Sequence, residues 1–179
     1  LDAGCCLRIP ASSYVAHDVE ISPHSRLAAG ARGRWPVIDG TLGKKVDLSV
    51  VPAREQRVTE FGYIGGLSEG WYTLTNERLN LSFGLAWPKE LFPYVWFWQE
   101  FRGSFGYPWY GRSYVMAVEP FTSVPGVGLV KAIENGSAPV LKAGASVAAR
   151  FAAVLFEARE VDSIDVDGVV CGRTQRDAG

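Results

Sequence analysis

The chain has 179 residues, 47% hydrophobic and 12% aromatic, which is enough apolar surface for one globular domain with a real core. Lys and Arg total 18 against 19 Asp and Glu, a formal net charge of -1, so no positive field gathers phosphate backbones and nucleic acid is not expected as a partner. No run approaches the roughly 20 apolar residues of a membrane-crossing helix, and the N-terminus has no basic-then-apolar leader, so a soluble, cytoplasmic protein with no membrane partner is expected. The three cysteines, with Cys5 and Cys6 adjacent, fit neither a disulfide framework nor a Cys-x-x-Cys metal site. No metal or cofactor is expected. The sequence begins at Leu1 without an initiating Met, and a further N-terminal portion is expected upstream.

Short apolar or alternating runs separated by Gly, Pro, Asn and Ser predict an all-β, antiparallel sandwich in a single domain over residues 1–179. The predicted strands are 5–9, 14–21, 57–64, 71–75, 79–87, 93–101, 113–119 and 147–157. Their spacing is too tight for βαβ crossovers. Between Pro23 and Ala53 the pattern weakens, punctuated by Gly30, Gly33, Pro36, Gly40, Gly43 and Pro52. A long excursion across one end of the sandwich is expected there, of a length that often carries function. Residues 126–135 form the one predicted helix: Val127, Val130, Lys131 and Glu134 fall on helical spacing, and Asn135-Gly136 supplies a left-handed stop. Residues 145–158 are rich in alanine. The alternation of Val147, Ala149, Phe151, Ala153 and Leu155 nonetheless predicts a long strand after the Lys142-Ala143-Gly144 turn. From Val161 onward a final strand and a frayed tail over 172–179 are expected.

The chemistry concentrates between Phe92 and Glu119. On a strand, Tyr94, Trp96, Trp98 and Glu100 share one face, and Val95, Phe97, Gln99 and Phe101 share the other. Pyranose C–H faces stack on indole and phenol rings while carboxylates and amides chelate neighbouring hydroxyls. Trp98, Glu100, Tyr107 and Trp109 are therefore candidate substrate-binding residues, although aromatics at such positions also serve as plain core. Glu119 ends the apolar run from Ser113 to Val118, just before the ladder-breaking Pro120. Partial burial is expected there, a setting in which a carboxylate works as a base near neutrality; the alternative is a solvated strand end. His17 shares its alternation with Val15 and Val19, which reads as a core or rim histidine, or as a substitute acid next to bound substrate. His24 lies in a loop and is expected to be solvated.

The stretches Trp98-Gln99-Glu100-Phe101, Tyr107-Pro108-Trp109-Tyr110-Gly111-Arg112 and Val118-Glu119-Pro120-Phe121-Thr122-Ser123, followed by the Leu141-Lys142-Ala143-Gly144 turn, resemble the closing part of galactose-mutarotase-like proteins of the aldose 1-epimerase superfamily. The resemblance implies a large antiparallel supersandwich whose concave face binds a monosaccharide, a hexose, without cofactor or metal. It also implies aldose 1-epimerisation, with Glu119 as the catalytic base that takes the anomeric hydroxyl proton while a histidine protonates the ring oxygen. The family's histidine motif does not occur in these residues. It is expected upstream of Leu1, so the activity is expected of the complete protein. Two alternatives stay open: a non-catalytic carbohydrate-binding module on the same scaffold, and the β-domain of a larger carbohydrate-active enzyme, with Glu100 and Glu119 as a carboxylate pair. The sequence sets no oligomeric state.

Overall fold

The computed structural model describes residues 1–19, 21–158 and 160–173. In chain order the strands are β1 (Cys6–Arg8), β2 (Ser13–Ala16), β3 (Arg32–Gly33), β4 (Val37–Asp39), β5 (Lys45–Asp47), β6 (Val58–Gly65) and β7 (Trp71–Asn76). A 3-10 turn (Glu77–Leu79) leads into β8 (Leu81–Ala86), β9 (Tyr94–Phe101), β10 (Tyr114–Phe121), the helix α1 (Leu129–Glu134), β11 (Ala152–Phe156), β12 (Glu160–Ile164) and β13 (Val170–Arg173). A four-stranded sheet in the order β1-β7-β8-β11 faces a five-stranded sheet in the order β10-β9-β6-β2-β3, with two hairpins, β4–β5 and β12–β13, added to them. Every paired neighbour is antiparallel. The all-β sandwich expected from the alternating runs is the observed architecture.

β9 shows why these residues fold this way. It is central, flanked by β6 and β10, and its Val95, Phe97 and Phe101 are fully buried between the sheets. They meet Tyr14 and Ile64 on their own sheet and Leu7, Tyr72 and Leu74 from the other. Burying a side chain of that size contributes about 1.5–3 kcal/mol. The opposite face of β9, carrying Tyr94, Trp96 and Trp98, points away from this core.

Four expectations are corrected. The 23–53 excursion is no open loop: it contains β3 and the β4–β5 hairpin, and it drives Leu27, Trp35, Ile38, Val46 and Leu48 into the main core. The strand predicted over 14–21 ends at Ala16, after which His17 makes one more ladder bond, to Phe61 O, before the chain turns away. The strand predicted over 147–157 shrinks to β11, because β11 is the edge of its sheet and its alternate residues have nothing to pack on; Leu155 is 71% exposed. The C-terminal residues form a hairpin rather than one strand. Its Val161 and Ile164 cover the outer side of the four-stranded sheet against Trp71 and Ala86. Gly84 lets the hairpin sit down, since a Cβ there would stand 2.5 Å from Ile164 Cδ1. Gly172 and Arg173 belong to β13, and the rest of the expected frayed tail, 174–179, lies outside the described residues. The helix forms as expected, with Gly136 (φ 74) rather than Asn135 (φ -91) supplying the left-handed residue.

Alternation also sends polar residues inward. Glu60 of β6 pairs with Gln99 of β9 on the inner face, and both are buried. The excursion supplies their partners. Arg26 reaches Glu60 through its backbone N–H at 2.8 Å and its Nε at 3.0 Å, Ser25 Oγ donates at 2.8 Å, and Arg26 Nη2 reaches Gln99 Oε1 at 3.1 Å. Gln99 Nε2 in turn donates to Leu48 O at 2.8 Å. This network ties the excursion to the sheet, and a carboxylate stripped of its cation in such a place is costly.

Arg26→Ala is expected to lower unfolding free energy by about 2–4 kcal/mol, read from urea denaturation, because Glu60 stays buried and loses its cation. Tyr14→Phe is expected to be neutral or to stabilise by up to about 1 kcal/mol in the same assay. The Tyr14 hydroxyl is buried without a hydrogen-bond partner, so removing it discards a desolvated polar group; a marked loss of stability would contradict this account.

Candidate functional site

The outer face of the five-stranded sheet is built row by row from the strand register. Glu119 of β10 stands opposite Trp96 of β9, and Trp96 opposite Tyr63 of β6. One row along, Ala117, Trp98 and Phe61 align; in the next come Val115, Glu100 and Thr59. Indoles, phenyl and phenol therefore form one continuous patch, with Phe61 and Tyr63 rings each 6.0 Å from Trp96. After β9 the chain folds back over this patch and brings Trp109 edge-on to Trp98, centroids 4.7 Å apart at 68°. The result is an open cleft of about 390 Å3 walled by Phe61, Trp96, Trp98 and Trp109, with Ile21, Thr59, Ser104 and Glu119 completing it. Trp96 is held in place from behind: Phe121 stacks on it at 3.8 Å and 13°, and its Nε1–H donates to Ser123 O at 2.8 Å.

Glu119 is exposed at the cleft wall, not half-desolvated as expected. Among the described residues it has neither a hydrogen bond nor an ion pair, so both carboxylate oxygens are open to a ligand. The small neighbour Ala117 and the flat indole of Trp96 leave that side of the cleft unobstructed.

Glu100 has a different fate. It is fully buried, because residues 103–104 return over it and supply three of its four donors, Thr59 of β6 supplying the fourth. The N–H groups of Gly103 and Ser104 donate to Oε1 at 2.9 and 3.0 Å, and the hydroxyls of Thr59 and Ser104 donate to Oε2 at 3.0 and 2.6 Å. The residue expected to bind substrate instead anchors the loop that forms the cleft floor. It is unable to pair with Glu119 across a sugar, since no oxygen of Glu100 reaches the cleft.

His17 is on the correct face but outside the cleft. Its side chain is 11% exposed, its ring packs on Phe61 at 5.0 Å, and its Nδ1 lies 2.7 Å from Tyr63 Oη. Gly126 N–H donates to the same phenol oxygen at 2.8 Å. Burial pushes the Tyr63 phenol up from its ordinary value, so it keeps its proton. Phe61 stands between this pair and the cleft. β2 and β10 are also three strand spacings apart, about 14 Å, so His17 does not stand beside Glu119 as a substitute acid. Tyr107 is 84% exposed on the 102–112 loop, and among the described residues its one ring contact is with Tyr110 at 6.1 Å. Of the sequence-nominated residues, the structure thus brings Glu119, Trp98 and Trp109 together and leaves Glu100, Tyr107 and His17 elsewhere.

Thr59, Phe61 and Ser104 were not singled out by sequence. The alternation of β6 places Thr59 and Phe61 on the same face as Tyr63, but which strand β6 pairs with is a long-range fact. Among the described residues no group of three His, Cys, Asp or Glu side chains is placed to hold a metal ion. Burial of Glu100 predicts that Glu100→Gln lowers unfolding free energy by about 1–3 kcal/mol, because an amide NH2 then faces donors; an unchanged denaturation midpoint would show that the loop does not depend on the carboxylate. No protein-family model, no curated protein and no solved structure matches this chain, so the reading of the cleft rests on the geometry just described.

Proposed function

We propose that the outer face of the five-stranded sheet is a carbohydrate-binding site that takes a hexose ring in the tryptophan cleft. The observation that carries this reading is the unpartnered Glu119 carboxylate sharing one wall with three indoles. Indole faces supply apolar area for pyranose C–H groups, and an open carboxylate accepts two adjacent hydroxyl protons. The volume falls within the range of small-ligand pockets, about 300–1,000 Å3. Phe61, Trp96 and Trp98 stand on strands and Trp109 alone comes from the loop after β9, so most of the aromatic wall is held in place before binding, which keeps the entropic cost low.

Aldose 1-epimerisation is the second reading, favoured by the same open carboxylate, which is free to take the proton of an anomeric hydroxyl. Ring opening also needs a proton at the ring oxygen. Within the cleft no second titratable side chain stands among the described residues, and the Thr59 and Ser104 hydroxyls already donate to Glu100. Binding is therefore the function these residues support by themselves, and epimerisation requires a donor from outside them.

Tryptophan fluorescence and calorimetric titration with glucose, galactose, mannose, xylose and N-acetylglucosamine are expected to reveal at least one ligand. Trp98→Ala and Glu119→Gln are each expected to weaken it by about tenfold, with the thermal midpoint kept. Optical rotation of freshly dissolved sugar separates the two readings: exchange at the spontaneous rate leaves binding, and acceleration abolished by Glu119→Gln establishes epimerisation. If no sugar in the panel binds, the proposal fails.

A further inference from the structure

Two residues before Thr59, just ahead of β6, stands Arg57, about 7 Å away along an extended chain. The chemistry along this stretch passes from the rings of Tyr63 and Phe61 through a hydroxyl to a guanidinium. Arg57 is exposed, and its guanidinium lies 4.9 Å from the ring centroid of Phe105, the residue after the cleft-lining Ser104. It stands at the edge of a second, larger cleft of about 560 Å3.

That second cleft is basic, against the charge balance of the chain. Arg26, Lys44, Lys45 and Arg57 all line it, with His24 beside them, and Asp47 is the single acidic residue of its lining. The cations come from three separate stretches and converge only because the β4–β5 hairpin turns back beside the start of β6. Their charges are not all spent. Arg26 serves Glu60, and Lys45 pairs with Asp39 at 2.6 Å with both side chains exposed, a contact worth little in water. Lys44 and Arg57 have no ion pair among the described residues. Asp47 turns one oxygen to its own turn, accepting from Ser49 N–H and Oγ–H at 2.9 and 2.6 Å.

The linings of the two clefts come from adjoining segments. Ser22 Oγ donates to Gly103 O at 3.3 Å and the His24 ring packs on Phe105 at 5.4 Å. A ring seated on Trp98 and Trp109 thus has Thr59 and Ser104 beneath one edge and, over Phe105 beside Ser104, a guanidinium with no ion pair among the described residues, in a cleft that Lys44 also lines. Guanidinium in a fixed fork is the group that receives planar or tetrahedral oxyanions by paired hydrogen bonds.

We infer that the saccharide bound in the tryptophan cleft is an anionic one, a sugar bearing a carboxylate, phosphate or sulfate, and that Arg57 with Lys44 receives its charge. This rests on the carbohydrate reading of the tryptophan cleft and adds the substrate class to it. The overall charge of -1 hides such a preference, because it reflects the sum over the chain and not the field at this edge.

The test is a matched titration of galactose against galacturonate, galactose 6-phosphate and galactose 6-sulfate, and of glucose against its three counterparts, on the wild-type chain, Arg57→Ala and Lys44→Ala. Both substituted residues are exposed and lie outside the tryptophan cleft, so folding is expected to be unchanged by circular dichroism. At least one anionic form should bind about tenfold more tightly than its neutral parent, an advantage that salt erodes. Arg57→Ala should cancel most of that advantage and Lys44→Ala part of it, while neutral-sugar binding stays as it was. Which anionic member gains distinguishes carboxylate from phosphate and sulfate. Neutral sugars binding as tightly as every anionic counterpart would overturn the inference and leave the carbohydrate reading standing, as would an anionic preference that survives Arg57→Ala. No binding by any member overturns both.

Discussion

The strict two-residue alternation of β9, locked between two antiparallel neighbours, is the constraint on which the rest of the structure depends. Eight register pairs hold it to β10 and seven to β6. With that register, Val95, Phe97, Gln99 and Phe101 build the core, while Tyr94, Trp96, Trp98 and Glu100 build the outer face. A slip of one residue would bury Trp96 and Trp98 and turn Phe97 and Phe101 to water. Core packing and the cleft wall are therefore two results of one decision, and neither can be altered without the other.

Three glutamates show how much the surroundings, rather than the residue type, decide a role. Glu60 and Glu100 face opposite sides of neighbouring strands, yet both are buried, one satisfied by an arginine from the 23–53 excursion and the other by neutral donors, most of them from the loop after β9. Glu119 has no segment folded over it and stays open beside the indoles. Buried polar groups persist only when partners are delivered to them, and in each buried case the delivering segment is remote in sequence or is a return loop. The carboxylate proposed to meet a sugar is the one to which nothing was delivered.

This division also explains what could be read from the chain alone. The two strands between Phe92 and Glu119 were legible because their period-two pattern carries both faces, while Trp109 joins Trp98 and Glu119 from the loop between those strands. The burial of Glu100 was not, since the pattern places it on the outer face and says nothing of Gly103 and Ser104 coming back across it. The 23–53 segment concealed its core role because Leu27, Trp35, Ile38, Val46 and Leu48 are spaced by turns and two- or three-residue strands too short to show a period. The alternation from Val147 to Leu155 misled for the opposite reason: a pattern implies a buried face only where another layer covers it. The basic cleft stayed hidden because Arg26, Lys44, Lys45 and Arg57 lie on different segments among balancing acids.

The central claim concerns where a sugar touches the protein, and the tryptophans divide to report on it. Of the six, Trp35, Trp71 and Trp87 are buried in apolar core clusters, whereas Trp96, Trp98 and Trp109 line the cleft. The most direct measurement follows the indole N–H resonances during titration with the neutral and anionic sugars. Saturable shifts at Trp96, Trp98 and Trp109, with Trp35, Trp71 and Trp87 unmoved, are the predicted result. Shifts confined to the core indoles, or none at any of the six, would contradict it.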